Sequence, residues 1–172
     1  AGGALRMTVV EIRAARPADI DAIWQVHEHA FGSAVEAELV GNLQADGDAI
    51  LSLIASHQGA PVGHVLFSRL RAPESDGLRA SALGPLGVMP DFQGRGVASA
   101  LVREGIARLR EDEEDLVLVL GDAAFYGRFG FSLEAARGFL TPYHGPHQEA
   151  LALSDAGHLA KGVLNYAPAF SK

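Results

Sequence analysis

Apolar residues recur at three- and four-residue steps over Ile20, Ile23, Trp24, Ala30 and Phe31, with His27 on the same stripe. This spacing predicts an amphipathic helix, opened by Pro17 and with Asp19 in its first turn. Ser33-Ala-Val-Glu36 has the form of a capping box, so a second helix is expected behind it, with Val35, Leu39, Val40 and Leu43 inward. Before these helices, Thr8–Ala14 carries the β-branched residues of a strand. After them, Ala49–Ser56 and Val62–Arg71 read as a hairpin turned by His57–Pro61. A polar loop over Ala72–Arg79 leads to a further strand, Ala80–Met89, interrupted by Gly84, Pro85 and Gly87. Pro cannot donate to a ladder and Gly marks a bulge or a close backbone approach.

From Gly94 to Leu109 the period returns to helical, with Val97, Ala98, Leu101, Val102, Ile106 and Leu109 on one side. The acidic run Glu111–Asp115 opposes the dipole at the end of this helix and is expected to be a solvated loop. Leu116–Leu120 is wholly apolar, as in a buried central strand. A brief helix over Asp122–Phe129 follows, with Asp122 as its N-cap, and Phe131 is expected to start another strand. Arg137–His147 reads as loop, with strands at Glu149–Leu153 and Gly162–Tyr166. This order is too irregular for a doubly wound sheet and points to an α/β chain of the α+β type.

Composition narrows the chemistry. The 172 residues contain no cysteine, which excludes a thiol nucleophile, an acyl-thioester enzyme intermediate and a Cys-based zinc site. Nothing suggests an oxidising compartment, so the expected location is the cytoplasm. A net charge of −7 argues against a nucleic-acid-binding face, and no apolar run is long enough to span a bilayer. One domain is expected over residues 7–170, with Ala1–Arg6 as an N-terminal extension or cloning remnant. The histidines give no metal spacing: His27 and His29 face different sides of a helix, and His144 and His147 form a loop pair beside prolines.

Candidate chemistry centres on Val88–Ala98. Gly94 and Gly96 lie where an extended segment turns into a helix, so backbone amides there can close on a pyrophosphate. Arg95 is available for a charged contact or for solvent. A dinucleotide fingerprint fits poorly, because Pro90–Gln93 separates the glycines from the strand, and no Lys-Ser or Lys-Thr completes a Walker motif. Gln93-x-x-Gly96-x-Ala98, however, resembles motif A of the GNAT N-acetyltransferases, the Q/R-x-x-G-x-G/A segment. Phe125-Tyr126-Gly-Arg-Phe-Gly-Phe131, about 30 residues later, resembles the F-Y-x-x-x-G-F signature of motif B. The Gly-Asp-x-x-x-Tyr-x-Arg-Phe-Gly-Phe wording of Gly121–Phe131 and the tail Gly162–Phe170 are similar to the YhbS-like subgroup.

The resemblance implies the GNAT fold, a mixed, mostly antiparallel central sheet flanked by helices with a splayed pair of central strands. It also implies acetyl-CoA as acetyl donor. Leu86, Gly87, Val88, Gln93, Gly94, Arg95, Gly96, Val97 and Ala98 would be the cofactor-binding residues, with the acetyl carbonyl held by a backbone amide near Leu86–Val88. Tyr126 would be the catalytic acid, since a phenol with a pKa near 10 stays protonated at neutral pH. Many members carry Asn where this chain has Asp122. For a general base, His27, Glu28, Glu38, His64 and a water chain all stay open. The expected activity is direct transfer to an amine in a ternary complex; the alternative is a non-catalytic acyl-CoA-binding sensor or interaction module. A homodimer is compatible with the resemblance, and the acceptor is open.

Overall fold

The computed structural model describes residues 7–172, so the expected extension over Ala1–Arg6 lies outside the described residues. Strand β1 (Glu11–Ala14) leads through a 3-10 turn at Pro17–Asp19 into α1 (Ile20–Phe31) and α2 (Val35–Ala45). Three strands follow, β2 (Ala49–His57), β3 (Ala60–Leu70) and β4 (Ala80–Val88), then α3 (Val97–Glu111) and β5 (Leu116–Leu120). The chain continues with α4 (Ala123–Tyr126), α5 (Leu133–Ala136), β6 (Phe139–Leu140), β7 (Gln148–Ala152), α6 (Asp155–Leu159) and β8 (Gly162–Val163). The main sheet has the order β1-β2-β3-β4-β5-β7. Only the β4–β5 pair within it is parallel.

Alternation along the strands sorts side chains onto two faces. On one face Leu53, Val65 and Phe67 pack under Val97, Leu101, Val102 and Ile106 of α3. On the other, Ile54 and Leu66 meet Ile23 of α1 and Val40 and Leu43 of α2. A third cluster, with Leu116, Leu118, Phe139 and Leu164, fills the space beneath the small β6–β8 pair. The periodic stripe in α3 is its buried face, and Leu116–Val119 is buried as its composition predicts; in α1 the buried residues are Ile23, Val26 and His27, while Ile20 and Phe31 at the ends of the expected stripe are exposed.

The parallel pair opens part-way along. β4 and β5 are in register from Ala80↔Leu116 to Leu83↔Val119, after which β4 runs on to Val88 beside β3 alone. The opening starts at an irregularity: Val65 pairs with Leu86 and Phe67 with Leu83, so Gly84 and Pro85 together face Leu66. Two residues opposite one is a bulge, which bends its strand and breaks the ladder. The Gly-Pro interruption read from the sequence is thus the point where the sheet splays.

Several local expectations are corrected. The Ser33–Glu36 capping box does not form, because α2 starts at Val35 with Ala34 as a cap that makes no side-chain hydrogen bond. Phe131 starts no strand; Ser132 bridges to Ala150 and then caps α5 by accepting from the Ala135 amide at 3.0 Å. The segment read as loop contains β6, and the last strand is limited to Gly162–Val163. The acidic run is not uniformly solvated. Glu114 is buried and accepts from Arg69 and Arg79 at 2.7 Å each, while Asp115 accepts from the Arg79 amide and from the Ser154 hydroxyl. Charge counting missed this because both arginines come from other elements. Among the described residues no helix is long and apolar enough to cross a membrane.

Candidate active site

The segment joining β4 to α3 forms one wall of a cavity of about 440 Å³. Gly94 and Gly96 both have left-handed φ, +72° and +84°, a conformation that side chains with a Cβ adopt at a cost. These two residues turn the chain so that α3 begins at Val97 with its first amides free of helical partners. Gly94, Gly96, Val97 and Ala98 all line the cavity, as do Val88 and Gln93. Partial positive charge at the start of a 15-residue helix favours an anion here.

Strand β4 supplies the next element. The Met89 amide donates to the Val62 carbonyl at 2.8 Å, so antiparallel alternation turns the N–H and C=O of Val88 away from β3 and into the splay. The Val88 carbonyl is taken by the Gln93 side chain, whose amide donates to it at 3.0 Å. Gln93 therefore braces the strand end against the loop. Leu86 lies two residues back, in the same orientation, and packs against the core on the α3 face. Between them sits Gly87, where a Cβ would come within 2.8 Å of the His27 ring. Arg95 turns its guanidinium over the Phe92 ring, 5.6 Å from the centroid, and is not among the residues lining the cavity.

Motif B folds over the far side. Asp122 caps α4 as expected, accepting from the Ala124 amide at 2.9 Å. Tyr126 follows one turn later, edge-on to Phe125 (4.8 Å) and Phe131 (5.8 Å). Burial, with the Glu149 carboxylate as a second cause, pushes its phenol up to about 12. Glu149 on β7 is itself fully buried, and neither carboxylate oxygen has a partner. Its own pKa is raised first by burial and then by Asp122.

Two further groups bear on the chemistry here. Arg128 lines the cavity and reaches Ser99 of α3, its guanidinium donating to the hydroxyl at 3.3 Å and lying 4.8 Å from the Phe125 centroid. It is an x of the F-Y-x-x-x-G-F signature but a fixed letter of the subgroup wording, and the turn Gly127–Phe129 places it against the start of α3. His27 and His64, left among several candidate bases, are both buried and bonded through His27 Nε2 and His64 Nδ1 at 2.8 Å. Burial pushes His27 down to about 4 and His64 to about 3, so both rings are neutral at neutral pH. Of the remaining candidates, Glu28 accepts from the Trp24 indole at 3.4 Å and Glu38 is an exposed residue of the first turn of α2.

This chain is similar to known proteins in sequence and in fold. An acetyltransferase (GNAT) domain model matches residues 11–133. YjhQ of Escherichia coli (strain K12), named as an uncharacterized N-acetyltransferase, is 41% identical over 134 residues, 76% of this chain and 74% of that one. The crystal structure of the GNAT-family N-acetyltransferase YhbS from Escherichia coli, in complex with CoA, superposes with a TM-score of 0.87. It is 32% identical, and the match covers 100% of this chain and 96% of that one. A GNAT-family acetyltransferase from Brucella melitensis in complex with acetyl-CoA gives 0.78, again at 32% identity, covering 94% and 98%. Matched in sequence over most of its length and in the whole course of its sheet, the chain belongs to the GNAT acetyltransferase family and is an acyltransferase.

Proposed function

We propose that the chain transfers the acetyl group of acetyl-CoA directly to an amine, with donor and acceptor bound together. The observation that carries this reading is the coincidence of an anion-ready helix start with a sheet opening that exposes the outward amides of β4. The pyrophosphate would lie on the amides of Gly94–Ala98, with Arg128 as the positive side chain at the same cavity. The pantetheine arm would enter the splay beside Val88, whose N–H would donate to the thioester carbonyl and to the oxyanion that forms when the amine attacks. With no cysteine in the chain and acceptor amines strongly nucleophilic once uncharged, no covalent enzyme intermediate is needed.

Tyr126 would serve the leaving group. A phenol at about 12 is a weaker acid than a thiol, for which about 8.5 is typical, so it does not give up its proton before sulfur carries charge. Its O–H would donate a hydrogen bond to the developing thiolate and pass its proton to sulfur as the carbon–sulfur bond breaks, the tyrosinate then regaining a proton from water as CoA leaves. Similarity to proteins solved with CoA and acetyl-CoA supports the donor assignment. The test is acceptor-dependent release of CoA thiol from acetyl-CoA, with spermidine, kanamycin, a tripeptide with a free N-terminus and a lysine-containing peptide blocked at its N-terminus. Release with at least one of these, and none without an amine, is expected. Tight acetyl-CoA binding with no release for any of them indicates a binding module instead.

A further inference from the structure

A short strap of chain passes behind the glycine loop before β1 begins. The Thr8 amide donates to the Arg95 carbonyl at 3.0 Å, and the Val9 carbonyl accepts from His57 Nδ1 on β2 at 3.0 Å. The His57 ring lies 5.5 Å, centroid to centroid, from that of Phe92, over which Arg95 turns its guanidinium. Met7–Val9 is thus tied to the segment between β4 and α3 directly through Thr8 and indirectly through His57. Burial does not account for this course, because Met7 and Val9 are 70% and 83% exposed.

What the Thr8 bond fixes is a peptide plane. The Arg95 carbonyl and the Gly96 N–H belong to one trans peptide, in which they point in opposite directions. With the carbonyl turned to Thr8, the Gly96 N–H faces the other side of the loop, and it has no backbone acceptor among the described residues. Left-handed glycines at 94 and 96 leave this plane freer to rotate than other residues would, so a bond from outside the loop selects one orientation. Met7 reaches over the rim. Its methyl group and sulfur sit where a Cβ of Gly96 would lie, the sulfur 3.0 Å from that point, and the residue lines the cavity of about 440 Å³ beside Gly94, Gly96 and Val97.

Resting on the placement of the acetyl-CoA pyrophosphate proposed above, we infer that Met7–Val9 is a positioning strap of the donor site. The Thr8 amide holds the Arg95–Gly96 peptide so that the Gly96 N–H donates to the pyrophosphate, and Met7 covers the same anion from the solvent side. An amide already aimed at its acceptor loses little backbone freedom when the ligand arrives, so the strap raises affinity by preorganisation. The thioether adds cover, since a hydrogen bond to an anion strengthens when water is kept from one side of it. The strap lies at the nucleotide end of the donor and therefore acts on that end and not on the pantetheine arm.

The test compares dissociation constants for acetyl-CoA, by calorimetric titration, and for acetylpantetheine, which lacks the pyrophosphate, by chemical-shift titration. Thr8→Pro removes the N–H and is expected to weaken acetyl-CoA binding about threefold to tenfold, the worth of one hydrogen bond. Thr8→Ala keeps the N–H and should bind acetyl-CoA within about twofold of wild type. Met7→Glu places a negative charge beside the anion and should weaken acetyl-CoA binding about tenfold, whereas Met7→Lys should tighten it about threefold, with the difference shrinking as salt is added. Acetylpantetheine should bind all four variants as it binds wild type. Thr8→Pro with wild-type affinity for acetyl-CoA overturns the strap, and so does a loss shared equally by the two ligands, which is the mark of a merely structural role. Met7→Glu and Met7→Lys with equal affinity for acetyl-CoA overturn it as well. As Met7 is largely exposed, these two variants decide if Thr8→Pro does not fold. Wild-type protein that binds the two ligands equally tightly, or binds neither, overturns the pyrophosphate placement on which the strap rests.

Discussion

The buried imidazoles of His27 and His64 set a pH dependence that their position alone dictates. Burial holds both folded-state pKa values below the ordinary 6.5, with His27 also lowering His64 and the Asp19 carboxylate opposing that shift weakly. Above about pH 7 neither ring binds a proton in the folded or the unfolded chain, so they contribute nothing. As pH falls through 6.5 the unfolded chain takes up protons and the folded one does not, so stability is lost down to about pH 4 for His27 and about pH 3 for His64. Each ring is worth about 1.4 kcal/mol per pH unit in this window. Urea unfolding at pH 5.5 should therefore report a protein about 2 to 3 kcal/mol less stable than at pH 7.5, and His27→Asn should remove about half of that difference. The role proposed for the Tyr126 hydroxyl belongs to the same scale. Tyr126→Phe keeps the edge-on ring contacts and is expected to lower kcat by about 10- to 100-fold with acetyl-CoA affinity unchanged, read by thiol release and calorimetric titration. In the sequence Tyr126 stood out through its motif, whereas the histidines were two candidates among several. What singles them out is a contact between residues 37 positions apart, which no local pattern encodes.

Elements carried most of their own signal. The existence of α1, the stripe of α3, the β2–β3 hairpin and the apolar β5 follow from periodicity and turn chemistry, although the hairpin turn is Gln58-Gly59 alone, shorter than the expected His57–Pro61. The failures lie where a short segment answers to neighbours: Ser132 prefers the cap of α5 to a strand, and Ser33 makes no cap. α3 also shows how an element is fitted to the sheet it covers. At Gly105 a Cβ would come within 2.5 Å of the Phe67 ring, so the helix lies close on β3 only because that position is bare. Gly105→Ala gains about 1 kcal/mol of helix propensity but overpacks the core by about 1 to 3 kcal/mol. A net loss of about 1 kcal/mol is expected by denaturant unfolding, with the Cα shift of α3 visible in a crystal structure of the variant.

At the scale of the molecule, the splay is held at one end and open at the other. Near the paired end of β4 and β5, Glu114 is buried between Arg69 of β3 and Arg79 ahead of β4, and Asp115 binds Arg79 and Ser154. Removing a buried charge partner costs several kcal/mol, but the arginines retain 24% and 53% side-chain exposure and can rehydrate. Glu114→Gln is therefore expected to cost about 2 kcal/mol in thermal or denaturant unfolding. The sequence by itself determined the candidate-site residues that depend on their own backbone or a fixed neighbour. These are the glycines that turn Gln93–Ala98 into a helix start, the Gly-Pro interruption of β4 and the tyrosine of motif B, each written within one short window. Only the tertiary structure decided that β4 parts from β5 after Leu83, that Arg128 reaches Ser99 and that His27, His64 and Ser52 form one row. Those depend on which face of one element meets which face of another, a choice made by the packing of the whole core.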